Sequence, residues 1–347
     1  MKTRFAFLTN AKEILKAEGE SPKKYEWILG LGILLISAFF FCFYKDFHLT
    51  VEQSLDFLDC LFHGKLFHFY SEINRIALSG GYGADWPASL LAGANYSVIN
   101  YAVLGIFCLP FYIIDVILPG DLPFLVYECW LKIGYVVLFI WMVGIFDSIF
   151  KELGLNDGKR RRMDLCFFTS PIFLYASIMI THMDIFSIFF LLYGMLYMYR
   201  GKTRNMLIFF MLAVTFKPFA ILGIVPILFL NEKRILFLAR NLVLVVAGVL
   251  LQGLVFHFDP GYGESQAFMS KTYDFVGRFF AVGYKFERNA FEGKAAYFVI
   301  GYVVLLVMCY CIRKATKYDL VVFPLGSMIL FFLFVMWHPN WAVLIVP

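Results

Sequence analysis

The sequence predicts an all-α polytopic membrane protein, and three observations carry that reading. Of 347 residues, 61% are hydrophobic and 20% aromatic, while only 16% are charged and the mean hydropathy is +0.76. Soluble domains run near a quarter charged, with fewer aromatics. Apolar runs of span length recur along the chain. The later runs are separated by short basic knots, as cytoplasmic loops are.

The first run, "WILGLGILLISAFFFCFY" (27–44), is long enough to span and has no small-residue cleavage site behind it. It reads as a retained helix. Residues 1–26 precede it and carry six cations, Lys2, Arg4, Lys12, Lys16, Lys23 and Lys24. A basic flank of this kind predicts a cytoplasmic N-terminus.

Residues 45–95 then form a structured extracytoplasmic first loop. They hold Asp46, Glu52, Asp56, Asp59, Glu72 and Asp85, followed by the turn-rich "SGGYGADWP" (79–87). In "TVEQSLDFLDCLFHG" (50–64), apolar residues fall at 51, 55, 58, 61 and 62, with acids at 52, 56 and 59. This is helical spacing, and it predicts a helix lying in the membrane interface.

The basic knots are "KRRR" (159–162), "RGKTR" (200–204), "NEKR" (231–234) and "RKATK" (313–317). With the knots inside, 165–181 runs outward and His182–Asp184 turns at the outer side. Residues 185–199 return. Residues 206–216 and 218–230 are too short for two ordinary spans and predict a hairpin with Lys217 at its tip. Residues 236–258 run outward, 259–294 form a second outer loop, 295–312 return and 319–337 run outward to "WHPNW" (337–341). The chain stops at Pro347, a few residues into another apolar run, so a truncated C-terminus is expected. The whole of 1–347 reads as one transmembrane domain.

One count conflicts. If 96–118 and 122–150 are both spans, "KRRR" falls outside. Either 96–118 breaks at Pro110 and returns to the outer face, or the number of spans is off by one.

Composition and motifs also exclude. No P-loop, strand-linked GxGxxG, HExxH or GxSxG is present. The basic residues form knots that topology already explains, so no nucleic-acid partner is expected. The seven cysteines sit mostly in apolar runs without a CxxC pair and read as small core residues. No cofactor is indicated. Two outer carboxylates suffice to hold a divalent metal, but no compact ligand motif is visible.

What remains is a polar outer face above an apolar bundle, where Asp46, His182, Asp184, Lys217 and His338 converge from distant parts of the chain. This suits a lipid-linked substrate, with its tail between helices and its phosphate near cations. The order of motifs resembles the C-type (GT-C) superfamily of integral-membrane glycosyltransferases, and within it the bacterial enzymes that use polyprenyl-phosphate sugars. The motifs are "YKDF" (44–47), "FHGKLFHFY" (62–70), "ANYSVINYAVLGIFCLPFYI" (94–113), "THMDIFSIFFLLYGMLYMYRGK" (181–202), "LAVTFKPFAILGIVPILFL" (212–230) and "HPNW" (338–341). Each is loose, and their order carries the likeness over about 27–347. Ser97 stands where relatives often have proline, and Thr181–His182 where many have Gly-Gln.

The resemblance implies a bundle of about 10–11 transmembrane helices, of span length about 20 residues each. It implies transfer of a hexose, mannose-like, from a polyprenyl-phosphate donor to an envelope glycan or lipid acceptor, with inversion. Such chemistry needs a base near the nucleophile and positive charge on the leaving phosphate. Asp46 takes the base's place, although it also fits a helix end paired with Lys45. Lys217, His182, His338, Arg278 and Arg288 are expected at substrate. Asp184 fits either a helix N-cap or a polar contact in the site. Glu52 belongs to an acid stripe that reads as a solvated helix face or as a substrate contact. Membrane lipids are the remaining partners. A transporter or flippase of a lipid-linked precursor is the second reading, and a non-catalytic scaffold the third.

Overall fold

The structure, a computed structural model, describes residues 21–40, 45–81, 94, 96–118, 122–288 and 291–335. Fourteen α-helices longer than a single turn and one β-hairpin occur among them, so the all-α class holds with a small β excursion at 283–296. Three helices are long and apolar enough to cross a membrane by length and composition: Val98–Ile117, Phe124–Leu153 and Ile235–Val255. The other apolar helices are shorter, which is fewer clear spans than the 10–11 expected.

The chain begins with α1 (Lys24–Phe39), α2 (Lys45–Phe62), α3 (Phe69–Leu78), α4 (Val98–Ile117) and α5 (Phe124–Leu153). Next come α6 (Asp157–Phe168), a turn at Pro171–Phe173 and a π-helical segment, Leu174–Met179. Then follow α7 (Asp184–Tyr199), α8 (Thr203–Phe216), α9 (Ile221–Asn231) and α10 (Ile235–Val255). The chain continues with α11 (Pro260–Tyr273), α12 (Phe275–Phe279) and the strands β1 (Gly283–Arg288) and β2 (Phe291–Ala296), paired antiparallel. The described chain closes with α13 (Tyr297–Cys311) and α14 (Asp319–Phe334).

The basic knots share one end of the bundle with the start of α1. Arg162 pairs with Glu26 at 3.0 Å, and Arg200 with Glu152 at 3.1 Å. The Tyr199 hydroxyl donates to Lys317 O, and Tyr310 to Lys233 O. Exposed pairs of this kind add little stability each. Their value here is geometric, because they register four knots against one face.

That registration removes the conflict at "KRRR". Pro110 lies inside α4, which continues unbroken through it, so the break at Pro110 expected as one of the two routes is not present. Instead α4 runs alongside α2 in the same direction. The Ser54 carbonyl faces Gly105, and the Tyr112 hydroxyl donates to Asp59. At its end α4 turns back into α5, with Phe107 stacked on Trp130 and Phe111 on the edge of Tyr127. Helices α2 and α4 both climb away from the knot end, and α5 alone descends to it.

Several other helices stop partway. Helix α7 has 16 residues, which sets Asp184 about 24 Å above the Arg200 end at about 1.5 Å per residue. A hydrocarbon core is about 30 Å thick. Helix α8 packs antiparallel on α7, with Ser187 Oγ donating to Ala213 O at 2.8 Å and the Phe210 ring against Gly194. A side chain at Gly194 would occupy the ring's place, the usual reason for small residues where apolar helices touch. Helices α5 and α10, at 30 and 21 residues, extend about 45 Å and about 32 Å and rise past this level. The short helices therefore end on a recessed floor.

The start of α3 and the start of α11 are tied to each other by a buried carboxylate. Asp259 caps α11 at Gly261 N and also accepts from the backbone of Tyr70 (2.9 Å) and Ser71 (3.3 Å) at the start of α3. The Ser71 hydroxyl donates to it as well. Pro260 follows at the first helical position, where its missing N–H is not needed. Any side chain at Gly261 would collide with the Ser71 backbone.

Candidate functional site

The floor is where chain ends meet. Asp184 opens α7, Lys217 follows the last residue of α8, and Asn100 stands in the first turn of α4. Lys217 Nζ lies 2.9 Å from Asp184 Oδ1, and His182 Nδ1 lies 3.3 Å from the same oxygen. All three are buried, at 8%, 2% and 7% exposure for Lys217, Asp184 and His182. A buried charge needs a partner, and this geometry supplies one to each. The N-cap of α7 is Met183, without a side-chain cap bond. Of the two roles open to Asp184, the polar contact is therefore the one it takes. At the positive end of α7 its charge is also favoured by the helix dipole.

The backbone around His182 is unusual. Residues 174–179 form a π-helical turn, a feature that gathers at functional sites. Thr181 then adopts φ +59°. A β-branched residue in the left-handed region costs about 1–3 kcal/mol unless its surroundings impose it. Glycine adopts this conformation freely. The Thr181 hydroxyl meets Ile178 O at 3.2 Å.

Tyr96 closes the cluster from the segment ahead of α4. Its hydroxyl sits 3.2 Å from His182 Nε2, and its ring lies 5.8 Å from Lys217 Nζ. His182 Nδ1 also accepts from the Asp184 backbone N–H at 3.4 Å, so main chain and side chain of Asp184 meet the same ring nitrogen. The Asn100 amide donates to Phe216 O at 3.2 Å and Ser97 O at 3.3 Å, which satisfies the end of α8. The Ser97 hydroxyl bonds Gln252 of α10, whose amide reaches the Tyr70 hydroxyl at 3.1 Å. The floor is thus connected to the point where Asp259 ties α3 to α11.

Helix α5 forms one wall. Lys132 is almost wholly buried, and its ammonium donates to Ala38 O at the end of α1 (3.0 Å) and to Met179 O at the end of the π turn (3.4 Å). One turn outward, Glu128 receives His48 Nδ1 at 2.9 Å. His48 Nε2 lies 3.5 Å from Glu52. Burial pushes the Glu52 carboxyl above its ordinary value, against the pull of His48. Glu52 therefore faces α5 and is not a freely solvated stripe residue.

Asp46 is the second residue of α2, and its side chain lies outside the described part of the structure. Its neighbour Phe47 packs on the edge of Tyr135, at 6.3 Å between ring centres. The backbone thus starts α2 at the level of Lys132 and Tyr135, where the floor lies. His338 lies outside the described residues, as does the side chain of Arg288. Arg278 belongs to α12, whose Phe279 packs on Phe298 and Phe331. Phe331 in turn meets Phe219, two residues past Lys217.

An apolar groove of about 440 Å³ opens between α4 and α5. Phe107, Trp130, Val137, Leu138 and Trp141 line it, and Tyr135 and Phe186 lie at its inner end. Phe186 packs on Phe216, the residue before Lys217, at 5.4 Å. The groove therefore leads from the apolar flank to residues flanking Asp46 and Lys217. A second, polar cavity of about 160 Å³ lies at the outer end between α2 and α3, lined by Asp56, Asp59, His63, Lys65, Glu72 and Arg75 among others. There Glu72 pairs with Lys65 and Arg75, and these two cations hold its carboxyl below the ordinary value. Among the described residues no three metal-ligating side chains stand together.

Sequence reading missed Tyr96, Asn100, Glu128, Lys132 and Asp259. Glu128 and Lys132 did carry a signal, an acid and a base four apart inside a long apolar run. Asp259 carried another, since "DPG" is an N-cap followed by proline at the first helical position. Tyr96 and Asn100 carried none, because each acts through residues more than 80 positions away. Compared with family models, with curated proteins and with solved structures, the chain matches none.

Proposed function

We propose that this chain is an integral-membrane glycosyltransferase that moves a hexose, mannose-like, from a polyprenyl-phosphate donor to an envelope glycan or lipid. The observation that carries this reading is a juxtaposition. A buried polar floor with Asp184, Lys217 and His182 lies beside the start of α2, which bears Asp46, and at the inner end of an apolar groove. A lipid-linked sugar has the same two parts, an apolar tail and a polar head.

In the reaction, the acceptor hydroxyl oxygen attacks the anomeric carbon from the face opposite the phosphate. The carbon–oxygen bond to the phosphate breaks, and the phosphate leaves with the electron pair. Asp46 takes the hydroxyl proton. Recession below the rims of α5 and α10 limits water, which strengthens electrostatic contacts and suppresses hydrolysis. The buried ion pairs hold the floor in one arrangement before substrate arrives.

The test is mass spectrometry of polyprenyl-phosphate sugars in cells lacking this gene, complemented with wild type or with Asp46→Asn. The reading expects a polyprenyl-phosphate hexose to accumulate and wild type to clear it. Stably made Asp46→Asn leaves it in place. An unchanged lipid pool in every strain overturns the transferase and turns attention to a transporter.

A further inference from the structure

The floor leaves two of its own acceptors without a donor among the described residues. Asp184 engages Lys217 and His182 through one carboxylate oxygen, Oδ1. The other, Oδ2, is buried and receives no hydrogen bond from the described residues. Asn100 is wholly buried too. Its amide nitrogen donates to the carbonyls of Ser97 and Phe216, which fixes which end of the amide is oxygen. That oxygen, Oδ1, likewise receives no hydrogen bond from the described residues. Asn100 meets α8 at Phe216, the residue before Lys217.

The charges matter as much as the lone pairs. Lys217 already faces a carboxylate at 2.9 Å. That carboxylate opposes the Lys217 charge. An anionic group entering here meets two acceptor oxygens. A group that donates hydrogen bonds satisfies both, and buried acceptors left open are costly.

From this we infer that the recess between α4, α7 and α8 binds the hydroxyl-bearing part of a lipid-linked substrate through Asp184 Oδ2 and Asn100 Oδ1, and that it is not the phosphate subsite. Lys217 then positions Asp184 and does not contact the phosphate, contrary to what its type and place suggest from sequence. The inference rests on the lipid-linked reading for the tail in the α4–α5 groove, while the head-group chemistry follows from the open acceptors.

The experiment measures binding of decyl glucoside and of decyl phosphate to the full chain in nanodiscs. Wild type binds decyl glucoside saturably. Asp184→Asn replaces the open acceptor with an amide donor and releases the Lys217 charge. It weakens decyl glucoside about tenfold and tightens decyl phosphate. Asn100→Leu keeps the ion pair and similar volume. It weakens decyl glucoside about tenfold as well, and it serves if Asp184→Asn does not fold. Saturable binding of decyl phosphate alone, lost on Lys217→Met, overturns the inference and leaves the lipid-linked reading standing. Decyl glucoside binding that neither variant changes also overturns it. If neither lipid binds wild type, the inference and the lipid-linked reading fall together.

Discussion

Two aspartates, Asp184 and Asp259, are equally buried, at 2% exposure each, and they are solved differently. Asp259 receives four donors, from Tyr70 N, Ser71 N, the Ser71 hydroxyl and Gly261 N, all supplied by two helix starts. Asp184 is held by a lysine and a histidine through one oxygen, and its second oxygen receives no hydrogen bond from the described residues. The backbone before Asp184 is strained at Thr181, whereas that after Asp259 runs into an ordinary proline-started helix. Asp259 is saturated largely by main-chain donors, whereas Asp184 is fixed by charged partners and keeps one oxygen without a donor among the described residues.

The strongest test of this contrast breaks the ion pair. Asp184→Asn leaves Lys217 buried beside a neutral group, which costs about 3–5 kcal/mol of stability. Asp184→Asn with Lys217→Met removes both charges and recovers most of that loss. Thermal unfolding of both variants in one detergent checks the contrast. A double variant as unstable as the single would mean that the pair is not a self-contained unit.

Asp259→Ala removes caps from α3 and α11 together, at about 1 kcal/mol per cap, for a loss near ~2 kcal/mol. The expected signature is local. Hydrogen exchange accelerates over 69–78 and 260–273 while the Asp184 floor stays protected. Exchange that rises equally in α7 and α8 would show that the two aspartates belong to one cooperative unit.

A third buried acid extends the comparison to the knot end. Burial and the facing Asp147 push Asp164 up to about 7, from an ordinary value of 3.8. The sign follows from linkage. The folded protein favours the protonated form, so the penalty is absent below about 4, accumulates as pH rises toward about 7, and is constant above. Asp164→Asn should therefore raise the melting temperature at pH 8 and leave it unchanged at pH 4. An equal shift at both pH values would mean that packing, not ionisation, is responsible.

The weakest effect is at Thr181. Thr181→Gly relieves the left-handed strain and loses the bond to Ile178, with a net gain of at most about 1 kcal/mol. Thr181→Ala keeps a Cβ and gains nothing. Chemical denaturation of the two variants separates strain from hydrogen bonding.

Much of this was legible in the amino-acid pattern. The short runs around Lys217 did form two separate short helices, α8 and α9, on either side of it. The amphipathic helix after the first span exists, and it begins earlier than its clean spacing, at Lys45. Asp184, His182 and Lys217 do come together. The direction of α4 was not legible, because an apolar helix reads the same whether it crosses, climbs or lies beside another. Only the Gly105–Ser54 and Tyr112–Asp59 contacts give its direction.

Composition alone dictates the solvent. With 16% charged residues and long apolar runs, backbone polar groups must be satisfied internally, which leaves helices. The placement of lysine and arginine in short loops dictates which end the cations share, since both are costly to place in hydrocarbon. Packing in three dimensions settles the rest: which oxygen of Asp184 is engaged, which amide end of Asn100 is open, and that Lys132 secures α1 to the π turn. These are contacts between residues far apart in the chain. Their energies depend on distance and burial, and neither is written in local composition or periodicity.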